Sequence, residues 1–70
     1  MITFYKLLDV LNRRHITIKE LQLAIGASPN TMAKIRKNES ISLSTVGKIC
    51  DYLDCQPGDI MENEKNYRKL

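Results

Sequence analysis

Residues 17–38 read TIKELQLAIGASPNTMAKIRKN, and this stretch decides the fold. Thr17 followed three residues later by Glu20 makes a capping box, and Ile16 and Leu21 flank it where a hydrophobic staple sets its two apolar partners. The pattern predicts a helix that starts at about residue 18, turns Leu21 and Ile25 inward and stops before Gly26. Glycine just past a helix end supplies the left-handed backbone that closes it. Only Ala27 separates Gly26 from Ser28, which reads as the next N-cap, with Pro29 at the first helical position. Two short helices joined by such a glycine-containing turn meet at a steep angle.

The helix from Ser28 to Lys37 has few anchors. At 3.6 residues per turn, Met32 and Ile35 lie about 60° apart and define its buried side. Asn30, Ala33, Lys34 and Lys37 fall within about 50° of the opposite direction, with Thr31 on one flank and Arg36 nearer the buried side. This outward face is small, amide and lysine side chains with no acid among them. Such a face suits the major groove, where an amide can read adenine and cations can meet guanine edges or phosphate.

Outward from this pair, Phe4, Leu7, Leu8 and Leu11 fall at i, i+3, i+4 and i+7, the stripe of an amphipathic helix with Thr3 as its expected N-cap. Asn38, tolerant of left-handed backbone, is expected to end the helix that precedes it. Ser42 is the expected cap of a further helix with Leu43, Val46, Ile49, Cys50 and Leu53 on one face, and Gly47 in its interior implies close packing there. QPGDIM, at 56–61, predicts a short fifth helix whose Ile60 and Met61 close the core, and ENEKNYRKL shows no stripe. No strand pattern, repeat or linker is visible. The expectation is an all-α, compact five-helix domain over 1–62, with a short charged tail over 63–70.

Composition and charge narrow the function. Seventy residues with 43% hydrophobic and 27% charged side chains make one ordinary globular domain near the lower size limit for folding on a single core. From Arg13 to Lys37 the net charge is +5, from Glu39 to Glu64 it is −5, and the last six residues add +3. A basic half beside an acidic half describes a molecule that turns one side to a polyanion. No apolar run approaches the roughly 20 residues that span a bilayer, and no export signal opens the chain, so a cytoplasmic protein is expected.

Residues 17–38, together with SLSTVGKICDYLDCQPGDIMEN at 42–63, resemble the phage-repressor-type (Cro and lambda-repressor-like, XRE-type) helix-turn-helix DNA-binding domains. The resemblance covers about residues 3–62. It implies sequence-specific binding of double-stranded DNA, usually by a repressor that forms a homodimer on a two-fold operator, with the helix from Ser28 as recognition helix. By position, Asn30 and Lys34 would contact bases, with Pro29 and Thr31 at the groove edge. Ser28, Lys37, Asn38 and Ser42 would meet phosphates, joined by Lys19 and Arg36. Three residues depart from the family pattern. Ile18 stands where a glutamine often reaches DNA, Gln22 where a small alanine is usual at the helix crossing, and Asn38 where glycine frequently follows the recognition helix.

Other functions find less support. Arg36 and Lys37 sit in the last turn of their helix, where cations are favoured in any protein. Cys50 and Cys55 with the lone His15 do not reach the four ligands of a structural zinc site, and the thiols read as small buried hydrophobes. His15 reads as a solvent-facing loop residue. No glycine-rich phosphate loop or nucleophile–base pair is present, so neither catalytic residues, metal, cofactor nor small-molecule ligand is expected. The alternative reading is a protein-interaction module, antitoxin-like or an accessory factor, built on the same bundle. A thiol-based redox regulator is a weaker third. Ile60, Met61, Tyr67 and Leu70 are the apolar candidates for a dimer surface.

Overall fold

The structure, a computed structural model, describes residues 1–65. In chain order it contains β1 (Ile2–Thr3), α1 (Tyr5–Arg13), α2 (Ile18–Ile25), α3 (Pro29–Arg36), α4 (Leu43–Leu53), a 3-10 turn (Pro57–Asp59) and β2 (Glu62–Asn63). Leu7 and Leu11 of α1, Leu21 and Ile25 of α2, Met32 and Ile35 of α3, and Val46, Ile49, Cys50 and Leu53 of α4 meet in one core, with Phe4 and Ile60 at its ends. α2 packs against both α3 and α4. These are the inward faces that the helical spacing predicts.

One device closes every helix. His15, Gly26, Asn38 and Asp54 all adopt left-handed backbone, with φ of 59°, 66°, 57° and 53°. The residue after each donates its N–H to a carbonyl five positions back: Ile16 to Leu11 at 2.9 Å, Ala27 to Gln22 at 3.0 Å, Glu39 to Lys34 at 2.8 Å, and Cys55 to Cys50 at 3.0 Å. This is the Schellman arrangement, which satisfies end carbonyls and brings the two bonded residues' side chains together. Only one of the four positions is glycine. The pairing also accounts for the two free cysteines, which occupy the paired positions at the end of α4. Burial pushes the Cys55 thiol above its ordinary value of 9.0, helped by the neighbouring Cys50 and Asp59 and opposed by Arg14. A thiol so disposed is a packing group rather than a nucleophile.

Several expectations need correction. The fifth helix is a single 3-10 turn, so among the described residues the fold has four α-helices. It is also not purely helical, since β1 and β2 form an antiparallel ribbon pairing Ile2 with Asn63 and Thr3 with Glu62. Two-residue strands are too short for an alternation to show in sequence. Thr3 therefore lies in β1, buried, and Phe4 holds the N-cap position of α1 without a side-chain cap. Leu43 opens α4 on the solvent side and is 80% exposed, so it does not share the apolar face. Gly47 is exposed and a methyl group there would meet nothing within 4 Å, so no close packing explains it.

Ile60 is fully buried and cannot serve a dimer surface, whereas Met61 is half-buried; Tyr67 and Leu70 lie outside the described residues. No helix among the described residues is long and apolar enough to cross a membrane.

Candidate nucleic-acid interface

The geometry of residues 17–42 follows from their caps. Thr17 and Glu20 complete the capping box, each side chain accepting the other's backbone N–H at 3.0 Å. Gly26 then turns the chain, and Ser28 caps α3 by accepting the Thr31 N–H at 3.2 Å. The same arrangement recurs where Ser42 accepts the Thr45 N–H at 3.0 Å to start α4. In both caps the two hydroxyls also share a hydrogen bond, at 3.2 Å for Ser28 and Thr31 and 2.9 Å for Ser42 and Thr45. A repeated S-x-x-T pattern at 28–31 and 42–45 carries this signal in the sequence. Thr31 is thus half-buried and engaged with its cap as well as lying beside the outward face.

Met32 and Ile35 hold α3 to the core, at 3% and 0% exposure. Pro29, Asn30, Arg36 and Lys37 are exposed, whereas Ala33 and Lys34 are half-buried, so Arg36 is freer, and Ala33 and Lys34 more covered, than the helical wheel alone predicts. Ser28 and Ser42 are exposed at the starts of α3 and α4, and Lys19 is exposed in the first turn of α2. Helix starts with free backbone N–H groups favour phosphate. Ile18 packs against the core rather than reaching outward, and Gln22 is half-buried, its carbonyl bonded by Ala27.

Not every cation of the basic half is free. Arg13 pairs with Asp9 at 2.7 Å, and Arg14 donates to the Leu53 carbonyl at 2.6 Å, capping the end of α4. Lys19, Lys34, Arg36 and Lys37 form no ion pair among the described residues. The uncommitted positive charge of the basic half is therefore concentrated on α2 and α3.

Asn38 has a role the sequence does not show. Its side-chain oxygen accepts the Phe4 backbone N–H at 2.7 Å, while its backbone closes α3. The amide NH2 has no partner among the described residues. No local pattern could reveal this bond, because its two residues are 34 positions apart.

A short helix pair with its second helix exposed, basic and capped at the start defines a helix-turn-helix protein. The family model of the Cro/C1-type helix-turn-helix DNA-binding domain matches residues 6–66, and the chain belongs to that family. It is similar to the HTH-type transcriptional regulator YozG of Bacillus subtilis (strain 168), itself described as uncharacterized, with 36% identity over 55 residues, 76% of this chain and 66% of that protein. Its fold matches the crystal structure of the transcriptional regulator VanUg, with a TM-score of 0.89 and 40% identity over 93% of this chain and 87% of the other. A proline–tRNA ligase of Cyanothece sp. (strain PCC 7425 / ATCC 29141) is 31% identical over 45 residues, which are 64% of this chain but 7% of that enzyme. That likeness concerns a small segment of the ligase. The family is one of DNA-binding transcriptional regulators, not a class of enzymes, and the domain is of the kind that binds double-stranded DNA.

Proposed function

We propose that the protein is a sequence-specific transcriptional repressor of the cytoplasm that occupies its operator as a homodimer, reading each half-site by inserting α3 into the major groove. The observation that carries this reading is the outward face of α3, where Asn30 and Lys37 are exposed and Lys34 is half-buried, with no acid on the helix. Asn30 and Lys34 contact base edges, with Pro29 and Thr31 beside them at the groove margin. Ser28, Lys37, Asn38, Ser42, Lys19 and Arg36 contact phosphates, the serines through the helix starts they cap and Asn38 through its free amide. Phosphate contacts supply affinity that falls with salt, and the base contacts supply selectivity.

Selection of bound sites from random duplexes tests this directly. The expected product is a two-fold sequence with half-sites one helical turn apart, bound by two protein chains. Recovery of no preferred sequence would overturn the reading.

A further inference from the structure

Among the exposed side chains of α3 stands one short apolar group that the core does not use. Ala33 is half-buried, yet among the described residues the side chains that form the core or pack against it do not include it. Its neighbours three and four positions away on the helix surface are Pro29, Asn30, Arg36 and Lys37, and all four are exposed. Each is larger than alanine. Ala33 is therefore covered from the sides, as the floor of a shallow notch, and not by the body of the protein. We infer that this notch takes the 5-methyl group of a pyrimidine in the major groove, so that Ala33 sets base preference.

The chemistry of the groove selects the occupant. Base-pair edges in the major groove present hydrogen-bond donors and acceptors and one apolar group, the C5 methyl of thymine. Cytosine methylated at C5 presents the same group. An alanine methyl can neither donate nor accept a hydrogen bond, so the methyl is the feature it can distinguish. Pro29, four residues earlier, extends the apolar floor with its exposed ring. Asn30, three residues earlier, sets beside it an amide able to pair with N6 and N7 of adenine. In an A·T pair the thymine methyl lies on the same groove edge as those two atoms, so Asn30 and Ala33 read one pair or two adjacent ones. α3 carries no carboxylate to accept from the cytosine amine, which favours thymine as the source of the methyl.

This inference rests on the reading of α3 as the DNA-contacting helix, and its test separates the two. Binding of the full chain is measured on its selected duplex, with each thymine in turn replaced by uracil, which lacks only the methyl, and each cytosine by 5-methylcytosine. At one position uracil is expected to weaken binding about fourfold, the change that burying one methyl group gives. A similar gain from 5-methylcytosine, with no loss from uracil, would name the methylated base as the source. Ala33→Gly removes the floor and Ala33→Gln fills the notch. Both variants, with folding checked by circular dichroism, should bind the methylated and unmethylated duplexes alike at that position. Equal affinity of the parent for methylated and unmethylated pyrimidines at every position would overturn the inference, and this series needs no variant. So would a methyl preference that both folded variants retain. Asn30→Ala and Lys34→Ala chains that bind every duplex as the parent does would instead sink the reading of α3.

Discussion

The side-chain oxygen of Asn38 receives the backbone N–H of Phe4 at 2.7 Å, so the residue that ends α3 also secures the residue that opens α1. Phe4 has no side chain of its own chain segment to cap it, and its ring is 2% exposed. Asn38 therefore serves two backbones at once. Its own stays left-handed, and its amide satisfies the other.

This double use orders three residues at position 38. Glycine would relax the left-handed backbone but leave the Phe4 donor unsatisfied, a loss of about 1–3 kcal/mol that the relaxation offsets only in part. Alanine would lose the same bond and keep the strain. Urea denaturation should therefore rank stability as Asn38 above Asn38→Gly above Asn38→Ala. A glycine variant as stable as the parent would show that the bond contributes no more than the backbone relaxation gains.

Asp54 presents the opposite case. It is left-handed at the end of α4, and its side chain makes no hydrogen bond or ion pair among the described residues. Asp54→Gly relieves the strain at the cost of unfolded-state entropy, with a net gain of about 0.5–1 kcal/mol. Thermal unfolding should show a higher midpoint for this variant, and a lower one would refute the account.

Lys34 carries the selectivity prediction. Once a preferred duplex is known, Lys34→Ala should weaken binding to it by about 1–3 kcal/mol and relax preference at one or two base pairs. The helix should survive, because Lys34 bonds Glu39 through its backbone carbonyl, which alanine keeps. Unchanged affinity and an unchanged footprint would remove Lys34 from the base contacts.

Lys37 should behave differently. It is exposed at the end of α3 without an acidic partner among the described residues. Lys37→Ala should weaken all duplexes about equally and lower the slope of log affinity against log salt by about 1. A loss confined to one sequence would instead place it on a base.

Alkaline pH should report on Cys55. The folded protein holds this thiol proton more tightly than the unfolded chain does, because burial and its neighbours raise it above 9.0. The associated stability is intact below pH 9.0 and is lost as pH rises through the folded-state value. Cys55→Ala should therefore show a shallower decline of stability across that alkaline range, and an identical slope would remove the effect.

The helices were legible because their signals are local. Thr17 with Glu20, Gly26, Ser28 with Pro29, and the spacing of Met32 and Ile35 all act within a turn or two. The free face of α3 followed from the same wheel. What escaped was non-local or weak in pattern. The Asn38–Phe4 bond and the pairing of Ile2 with Asn63 join residues far apart in the chain. QPGDIM carries helix-start residues, but the chain between Leu53 and β2 accommodates only a 3-10 turn. Leu43 fell on the apolar face by spacing alone, yet the first turn of α4 projects beyond the core. Arg14 reads as basic surface in the sequence, because its partner, the Leu53 carbonyl, lies 39 positions away.

The way α3 is held has a consequence for descent as well as for binding. Its attachments are Met32, Ile35, the Ser28 cap and a main-chain carbonyl, whereas Asn30, Lys34 and Lys37 make no side-chain hydrogen bond or ion pair among the described residues. A duplicated gene could exchange those three side chains one at a time without passing through an unfolded product. Target preference and foldability are thus inherited through separate positions, and the former can diverge while the latter stays fixed.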